Sequence, residues 1–294
     1  MSRSTQRPRL VTTIPELGEA IAAARREGKR IGLVPTMGAL HEGHLSLVRA
    51  SRAECDYTVV TIYVNPSQFG PEEDYRRYPR TLDADLESLA GCEVDLVFAP
   101  ANEEVYPPGY MTWVDPAGVA APWEGELRPA HFRGVATIVL KLFNMVGAEA
   151  AYFGQKDYQQ ALVIRRMVED LNVPIAIRVC PTVREADGLA MSSRNTYLSP
   201  AERGQAAVLW KSLVLARDLV ARGERRAAVI AERMRGLIRA AGPTRIDYVA
   251  LVDPDTLAPV EEIRNPTLAV LSIVVGQTRL IDNCLLQPPG NGGA

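Results

Sequence analysis

The 294-residue sequence is poor in the features that mark several common protein classes. It has four cysteines, Cys55, Cys92, Cys180 and Cys284, far apart, three of them in or beside apolar segments. That distribution fits buried reduced thiols better than a disulfide framework or a zinc ligand set. Neither charge is in excess. Lys+Arg 33 against Asp+Glu 35 gives a formal net charge of −2 with no long run of one sign, so no nucleic-acid partner is expected. No segment offers eighteen apolar residues free of charge, and residues 1–9 are polar and basic with no apolar core behind them. A soluble, cytoplasmic protein with no membrane partner is expected. There is no G-x-x-x-x-G-K-[ST], which sets aside a P-loop, and no G-x-G-x-x-G after the first long strand, which weakens a dinucleotide dehydrogenase. No solenoid repeat is visible.

Histidine is scarce too, and all three copies, His41, His44 and His131, fall in motif-like segments. The stretch from Leu33 to Val48 reads as strand, loop and helix start in succession. Residues 31–34 are an apolar run, Pro35 and Gly38 punctuate it, and Leu45 and Val48 resume at helical spacing. With a helix beginning near Glu42, His41 and His44 project from its first turn, where unpaired N–H groups and the helix dipole attract an anion. Gly43 between them leaves bare backbone for close approach of a phosphate or a flat ring. Two histidines three apart could also be half of a metal site. Zinc, however, wants three or four nitrogen or sulfur ligands, and no cysteine lies nearer than Cys55.

The remaining pattern predicts two domains, residues 1–180 and residues 181–286, followed by a Pro/Gly-rich tail at 287–294 expected to be disordered. In the first, helices at 15–26, 83–90, 134–146 and 158–171 alternate with strands at 31–34, 57–64, 94–99, 150–153 and 175–180, an α/β layout with a parallel sheet. A short extended piece is expected at 111–114. In the second, helices at 201–222 and 225–241 precede strands at 246–252, 267–275 and 278–283, which suggests a smaller α+β domain. Between them, residues 181–195 lack periodicity and read as a surface connector or a mobile active-site loop.

Three polar segments attract attention. Asn65 to Pro71 follows the carboxyl end of a strand, where open α/β sheets gather ligands, so Asn65 and Gln68 are candidate substrate contacts; turn chemistry alone also explains Asn65 before Pro66. Gly154-Gln155-Lys156-Asp157 repeats the strand, polar loop, helix layout of the His41 segment, and Ser192-Ser193-Arg194 adds hydroxyls and a guanidinium. Histidine, lysine and arginine suit phosphoryl or nucleotidyl transfer, which needs charge neutralisation and positioning more than a covalent nucleophile.

Taken together, PTMGALHEGH, YVNPSQFG, YPRTLDAD, HFRGVATIVLKLF, YFGQKDYQQ and PTVREADGLAMSSRN, in this order over most of residues 31–197, resemble the pantoate–beta-alanine ligase family. The resemblance implies a Rossmann-like parallel sheet of the nucleotidyltransferase type, a C-terminal domain that covers the site, and a homodimer. It also implies magnesium-dependent condensation of pantoate with beta-alanine, ATP giving AMP and pyrophosphate. It places ATP on Met37, Gly38, Ala39, Leu40, His41, Glu42, Gly43 and His44, on Gly154, Gln155, Lys156 and Asp157, and on Val183, Met191, Ser192, Ser193 and Arg194. Pantoate falls on Gln68 and Gln160, and His44 is the catalytic histidine, to which charge considerations add His41 and Lys156. Where the family often has adjacent acidic residues after YPRT, this chain has Asp83-Ala84-Asp85, so a metal contact there rests on Asp85. Ala130 stands where a glycine is usual.

Other readings differ in what they exchange. A nucleotidyltransferase would join AMP to a phosphate acceptor, and a truncated relative of class I aminoacyl-tRNA synthetases would need a basic appendage that is missing here. A silent nucleotide sensor would exchange no pyrophosphate, whereas an amide ligase exchanges it only when its carboxylic acid is present.

Overall fold

The computed structural model describes residues 7–70 and 73–288. Within these, one compact unit comprises residues up to 155 together with 159–181, and the second comprises 156–158 and the residues from 182 onward. The expected disordered tail lies, beyond residue 288, outside the described residues.

The first unit holds six parallel strands, β1 (Arg9–Val11), β2 (Ile31–Thr36), β3 (Tyr57–Ile62), β4 (Leu96–Phe98), β5 (Ala150–Gly154) and β6 (Ala176–Cys180), in the order β1-β4-β3-β2-β5-β6. Its helices are α1 (Ile14–Arg26), α2 (Glu42–Glu54), α3 (Leu82–Ala90), the short α4 (Asn102–Val105) and α5 (Glu124–Leu127), α6 (His131–Val146) and α7 (Tyr158–Asp170). The central strands read as apolar throughout because both faces are covered. Leu33 of β2 and Val59 of β3 pack with Leu17 and Ile21 of α1 and Val135, Val139 and Leu142 of α6. Their neighbours Val34 and Val60 turn to the opposite face and meet Leu47 and Val48 of α2 and Leu86 and Leu89 of α3. Each such fully buried side chain contributes roughly 1.5–3 kcal/mol of burial free energy. Gly32 lets α2 sit tight on β2: a Cβ there would lie 2.2 Å from Ser51 Oγ.

Three details depart from the expected elements. β1 is too short to show a pattern. Strand β2 runs through Pro35 to Thr36, past the part paired on both sides, because β5 pairs with it only at Gly32 and Leu33. Residues 111–114 join no strand. The four cysteines are free thiols, Cys55 buried and the others half-buried.

The second unit contains α8 (Pro200–Ala206), α9 (Val208–Ala221), α10 (Ala227–Ala240) and an antiparallel sheet of β7 (Arg245–Val252), β8 (Thr267–Val275) and β9 (Thr278–Leu286). Leu209 and Leu213 of α9 and Ile230 and Met234 of α10 close its core with Val249, Leu271 and Ile273. The single helix expected at 201–222 is thus two, divided at Ala207, with a Ser199–Glu202 capping box opening α8. No helix among the described residues is long and apolar enough to cross a membrane.

Candidate active site

In the first sheet β2 lies between β3 and β5, so the strand order reverses there, and the loop leaving β2 emerges at the place where open α/β sheets take ligands. This loop is tightly wound. Gly38 and Ala39 both have positive φ, 81° and 50°, and Gly38 N–H donates to Thr36 Oγ1 at 3.2 Å. His41 then serves as the N-cap of α2, in an unusual way for a histidine. Gly43 N–H donates to His41 Nδ1 at 3.2 Å, and His41 N–H donates to His44 Nδ1 at 3.3 Å. The rings stand 4.1 Å apart at 35°. With both Nδ1 atoms accepting, the neutral imidazoles carry their protons on Nε2. The start of α2 therefore combines the positive helix end with two imidazole N–H donors.

Asp85, on α3, is 2% exposed. Its Oδ2 accepts from Ala39 N–H at 3.0 Å, and its Oδ1 from Leu40 N–H at 2.8 Å and Thr81 Oγ1 at 3.3 Å. The sequence offers this residue as a metal contact; the structure commits its carboxylate to backbone. Among the described residues, no three His, Cys, Asp or Glu side chains converge as a metal ligand set.

The loop after β3 brings Gln68 beside the first loop, with Gln68 Nε2 3.0 Å from Met37 Sδ. Asn65 fixes that amide. It is 1% exposed, its Nδ2 donates to Gln68 Oε1 at 3.1 Å and Gly134 O at 3.2 Å, and its Oδ1 accepts from Ser67 N–H, Ser67 Oγ and Tyr106 OH. Both ends of the Asn65 side-chain amide thus go to protein, and one of those bonds holds Gln68, beside which sequence places Asn65 as a second substrate contact. Because Gln68 Oε1 is taken, Nε2 is the end available to donate.

The Gln68 backbone is clamped as well. His131 Nδ1 lies 2.9 Å and Arg128 3.2 Å from Gln68 O, Arg128 also approaches His131 Nε2 at 3.1 Å, and it pairs with Glu73. Burial, and then the adjoining Arg128 charge, hold His131 down to about 4. It is a neutral imidazole that donates from Nδ1 and accepts at Nε2. Gly134 allows the start of α6 to touch this turn: a Cβ there would lie 2.3 Å from Ser67 O and 2.6 Å from Gln68 N. Sequence reading notices His131 but misses Arg128 and Glu73, whose spacing in the chain gives no sign that they meet.

Gly154 and Gln155 are half-buried at the end of β5. In α7 the adjacent glutamines part company. Gln159 is buried, accepting from Glu124 N–H and donating to Val119 O and Pro122 O, while Gln160 is half-buried on the neighbouring face.

In the second unit, Lys156 Nζ lies 3.4 Å from Asp157 Oδ1, and Asn283 Nδ2 donates to Lys156 O at 2.9 Å. The stretch read as a surface connector or a mobile active-site loop has the form of a hairpin held by side-chain bonds. Arg184 bridges Ala190, pairs through two nitrogens with the buried Asp282 and stacks 3.9 Å from the Trp210 ring. Met191 N–H returns to Val183 O, Asn195 Nδ2 donates to Glu185 and to Ala190 O, and Ser192 caps the turn of Ser193–Tyr197 by accepting from Arg194 N–H. Asp282 and Asn283, adjacent on β9, are not singled out by sequence, because nothing in a strand pattern marks them.

The sequence model of the pantoate-beta-alanine ligase family matches residues 9–285. A pantothenate synthetase of Moorella thermoacetica is 57% identical over 278 residues, covering 95% of this chain and 98% of its own length. One from a Roseiflexus strain is 55% identical over 279 residues, covering 95% and 99%. The crystal structure of pantothenate synthetase from Thermus thermophilus superposes with a TM-score of 0.91 at 47% identity, covering 95% of this chain and all of that one. A pantoate–beta-alanine ligase from Francisella tularensis, solved in complex with beta-gamma ATP and beta-alanine, gives a TM-score of 0.80 at 33% identity, covering 95% and 97%. The family match begins at β1 and runs to within one residue of the end of β9, and the chain belongs to the pantoate–beta-alanine ligase family.

Proposed function

We propose that this ligase activates pantoate on the loops that leave β2 and β3, through an acyl adenylate, before beta-alanine captures it. The reaction is the condensation of pantoate with beta-alanine to give pantothenate, AMP and pyrophosphate. A carboxylate is a poor acyl donor, so one of its oxygens attacks the α-phosphorus of ATP and pyrophosphate leaves. The amine of beta-alanine then attacks the acyl carbon of the mixed anhydride, loses a proton and expels AMP. Neither step needs an enzyme nucleophile; both need phosphate charge to be stabilised and the reactants to be aligned.

The observation that carries this reading is the reciprocal histidine cap. His41 and His44 each have Nδ1 held by a backbone N–H at the positive end of α2, which leaves Nε2 as the proton-bearing nitrogen, a chemistry suited to negative charge that grows as pyrophosphate departs. His44 is the catalytic histidine and His41 its partner. Met37, Gly38, Glu42 and Gly43 border the nucleotide. Ala39 and Leu40, whose N–H groups are committed to Asp85, can meet it only through carbon and carbonyl atoms. Gln68 Nε2 and Gln160 hold the hydroxyls and carboxylate of pantoate. On the family resemblance we also assign ATP to Gly154, Gln155, Lys156, Asp157, Val183, Met191, Ser192, Ser193 and Arg194, with the Lys156 and Arg194 charges matched to phosphate. A magnesium ion would be brought by ATP itself, since the described residues offer no ligand cluster for it, and would supply dispersal of the phosphate charge. Cytoplasmic location and a homodimer are proposed on the same resemblance; sedimentation tests the second.

Pyrophosphate exchange tests the site. Labelled pyrophosphate should enter ATP only with pantoate present, and His44→Ala should cut that rate about a hundredfold with the fold intact, as loss of one transition-state donor does. Normal exchange in the variant would remove His44 from the mechanism.

A further inference from the structure

We propose that Asp85 is a positioning residue that grips the wound loop beneath the two histidines, and that it does not ligate magnesium. The inference rests on the β2–α2 loop being the adenylation site.

Three observations converge on it. Asp85 is 2% exposed, so a cation on its carboxylate would have to shed water there, and magnesium gives up its water reluctantly. Its two oxygens already take three donors, with Ala39 N–H on one and Leu40 N–H and Thr81 Oγ1 on the other. The chain it grips is strained. Gly38 accepts a φ of 81° without penalty, but the next residue, Ala39, has a φ of 50°, a left-handed conformation that a side chain with a Cβ resists. The pair of hydrogen bonds lands on Ala39 and the residue after it, so the carboxylate compensates the strain where it arises.

The grip acts on the histidines through the chain itself. Leu40 is joined directly to His41, whose backbone N–H and Nδ1 set the orientation of both imidazoles. If Ala39 relaxed to a negative φ, Leu40 N–H would swing off Asp85, the chain would enter α2 at another angle, and both Nε2–H groups would turn away from the developing charge. The fit is close on the other side too: a Cβ on Gly38 would come within 3.0 Å of Asp85 Oδ2. Asparagine at position 85 keeps one acceptor oxygen but sets an NH2 group against one of the two backbone donors, so it cannot hold both.

This separates a grip from a metal ligand by experiment. In the unaltered protein, the Ala39 and Leu40 amides should exchange hydrogen slowly, and saturating magnesium without nucleotide should leave that protection unchanged. Faster exchange of these amides on adding magnesium would overturn the proposal, because it would mean the carboxylate leaves them for the ion. Asp85→Asn should lower pantoate-dependent pyrophosphate exchange at least tenfold while the magnesium concentration for half-maximal rate stays put. Adding Ala39→Gly, which removes the cost of the left-handed turn, should recover several-fold of that loss. A raised magnesium requirement with no recovery would make Asp85 a metal ligand. Unaltered exchange in Asp85→Asn while His44→Ala is inactive would sink this inference and leave the site assignment standing; full activity in both would sink the site assignment itself.

Discussion

His131 makes the binding turn sensitive to acid, and the size of the effect follows from its surroundings. The imidazole is held neutral down to about 4, against 6.5 for the free side chain, because burial and then the neighbouring Arg128 charge oppose its protonation. Its folded-state pKa is lowered, so between these values the unfolded chain binds the proton and the folded chain does not. The associated loss of stability is absent above about pH 6.5, grows as pH falls, and is complete below about pH 4. A separation near 2.5 pK units corresponds to about 3 kcal/mol in all, of which about 2 kcal/mol is lost between pH 7 and pH 5. His131→Asn supplies an amide N–H where Nδ1–H meets Gln68 O but cannot titrate, so it should lack that part of the pH dependence. Urea unfolding of both proteins at pH 7 and pH 5, followed by a probe in the first unit, gives the comparison. An equal loss of stability in the two proteins over this interval would refute the assignment of a buried neutral imidazole. The functional counterpart is a rise in KM for pantoate in acid, since a protonated His131 cannot accept from Arg128 and the Gln68 turn loses half of its clamp.

Three substitutions separate packing from substrate contact, one at that turn and two in α7. Gly134→Ala places a methyl 2.3 Å from Ser67 O, a contact that backbone must move to relieve; the expected cost is about 1–3 kcal/mol of stability together with a raised KM for pantoate, and an unchanged KM would show that the turn moves without carrying Gln68. In α7, Gln159→Leu strands Glu124 N–H and two carbonyls and should lower stability by about 1–3 kcal/mol, whereas Gln160→Leu should leave stability alone, weaken use of pantoate and narrow its advantage over a deoxy analogue, an outcome read by denaturation and by substrate kinetics side by side.

The sheet is legible in the sequence because its signal is local. An apolar run bounded by Pro35 and Gly38, or one at residues 57–64, reads as a buried strand whatever it pairs with. β1 is not, since three residues carry no period and its place beside β4 is a tertiary fact. The histidine loop is visible as chemistry, yet its detailed form is hidden: no rule of spacing says that both Nδ1 atoms turn back onto the helix start. The hairpin form of residues 181–195 is hidden for a related reason. Its small and charged residues build no core, but Asp282, nearly a hundred residues on, anchors Arg184 beneath the Trp210 ring, and Arg203 holds Glu185 and Asp187.

The positions that spacing alone does not tell apart share a physical cause. Asn65 and Gln68, Gln159 and Gln160, and Asp85 beside its exposed neighbours are polar residues of like chemistry set close together, and what separates holder from contact is which side of an element each faces. One residue of helix turns a side chain by about 100°, enough to commit Gln159 to three protein partners and leave Gln160 on another face. The holders are the more buried of each set, since a group that must fix another's geometry needs its own partners satisfied away from water. They also sit beside the sites where local rules are broken: Asp85 next to the left-handed Ala39, and Asn65 against Gly134, where two backbones come too close for any side chain. Local strain of this kind persists only when several bonds over-determine it. For the site proposed here the same over-determination would keep imidazoles and amides in place for a charge that exists only during the reaction, because a loop free to relax would meet that charge with reorganisation instead of stabilisation.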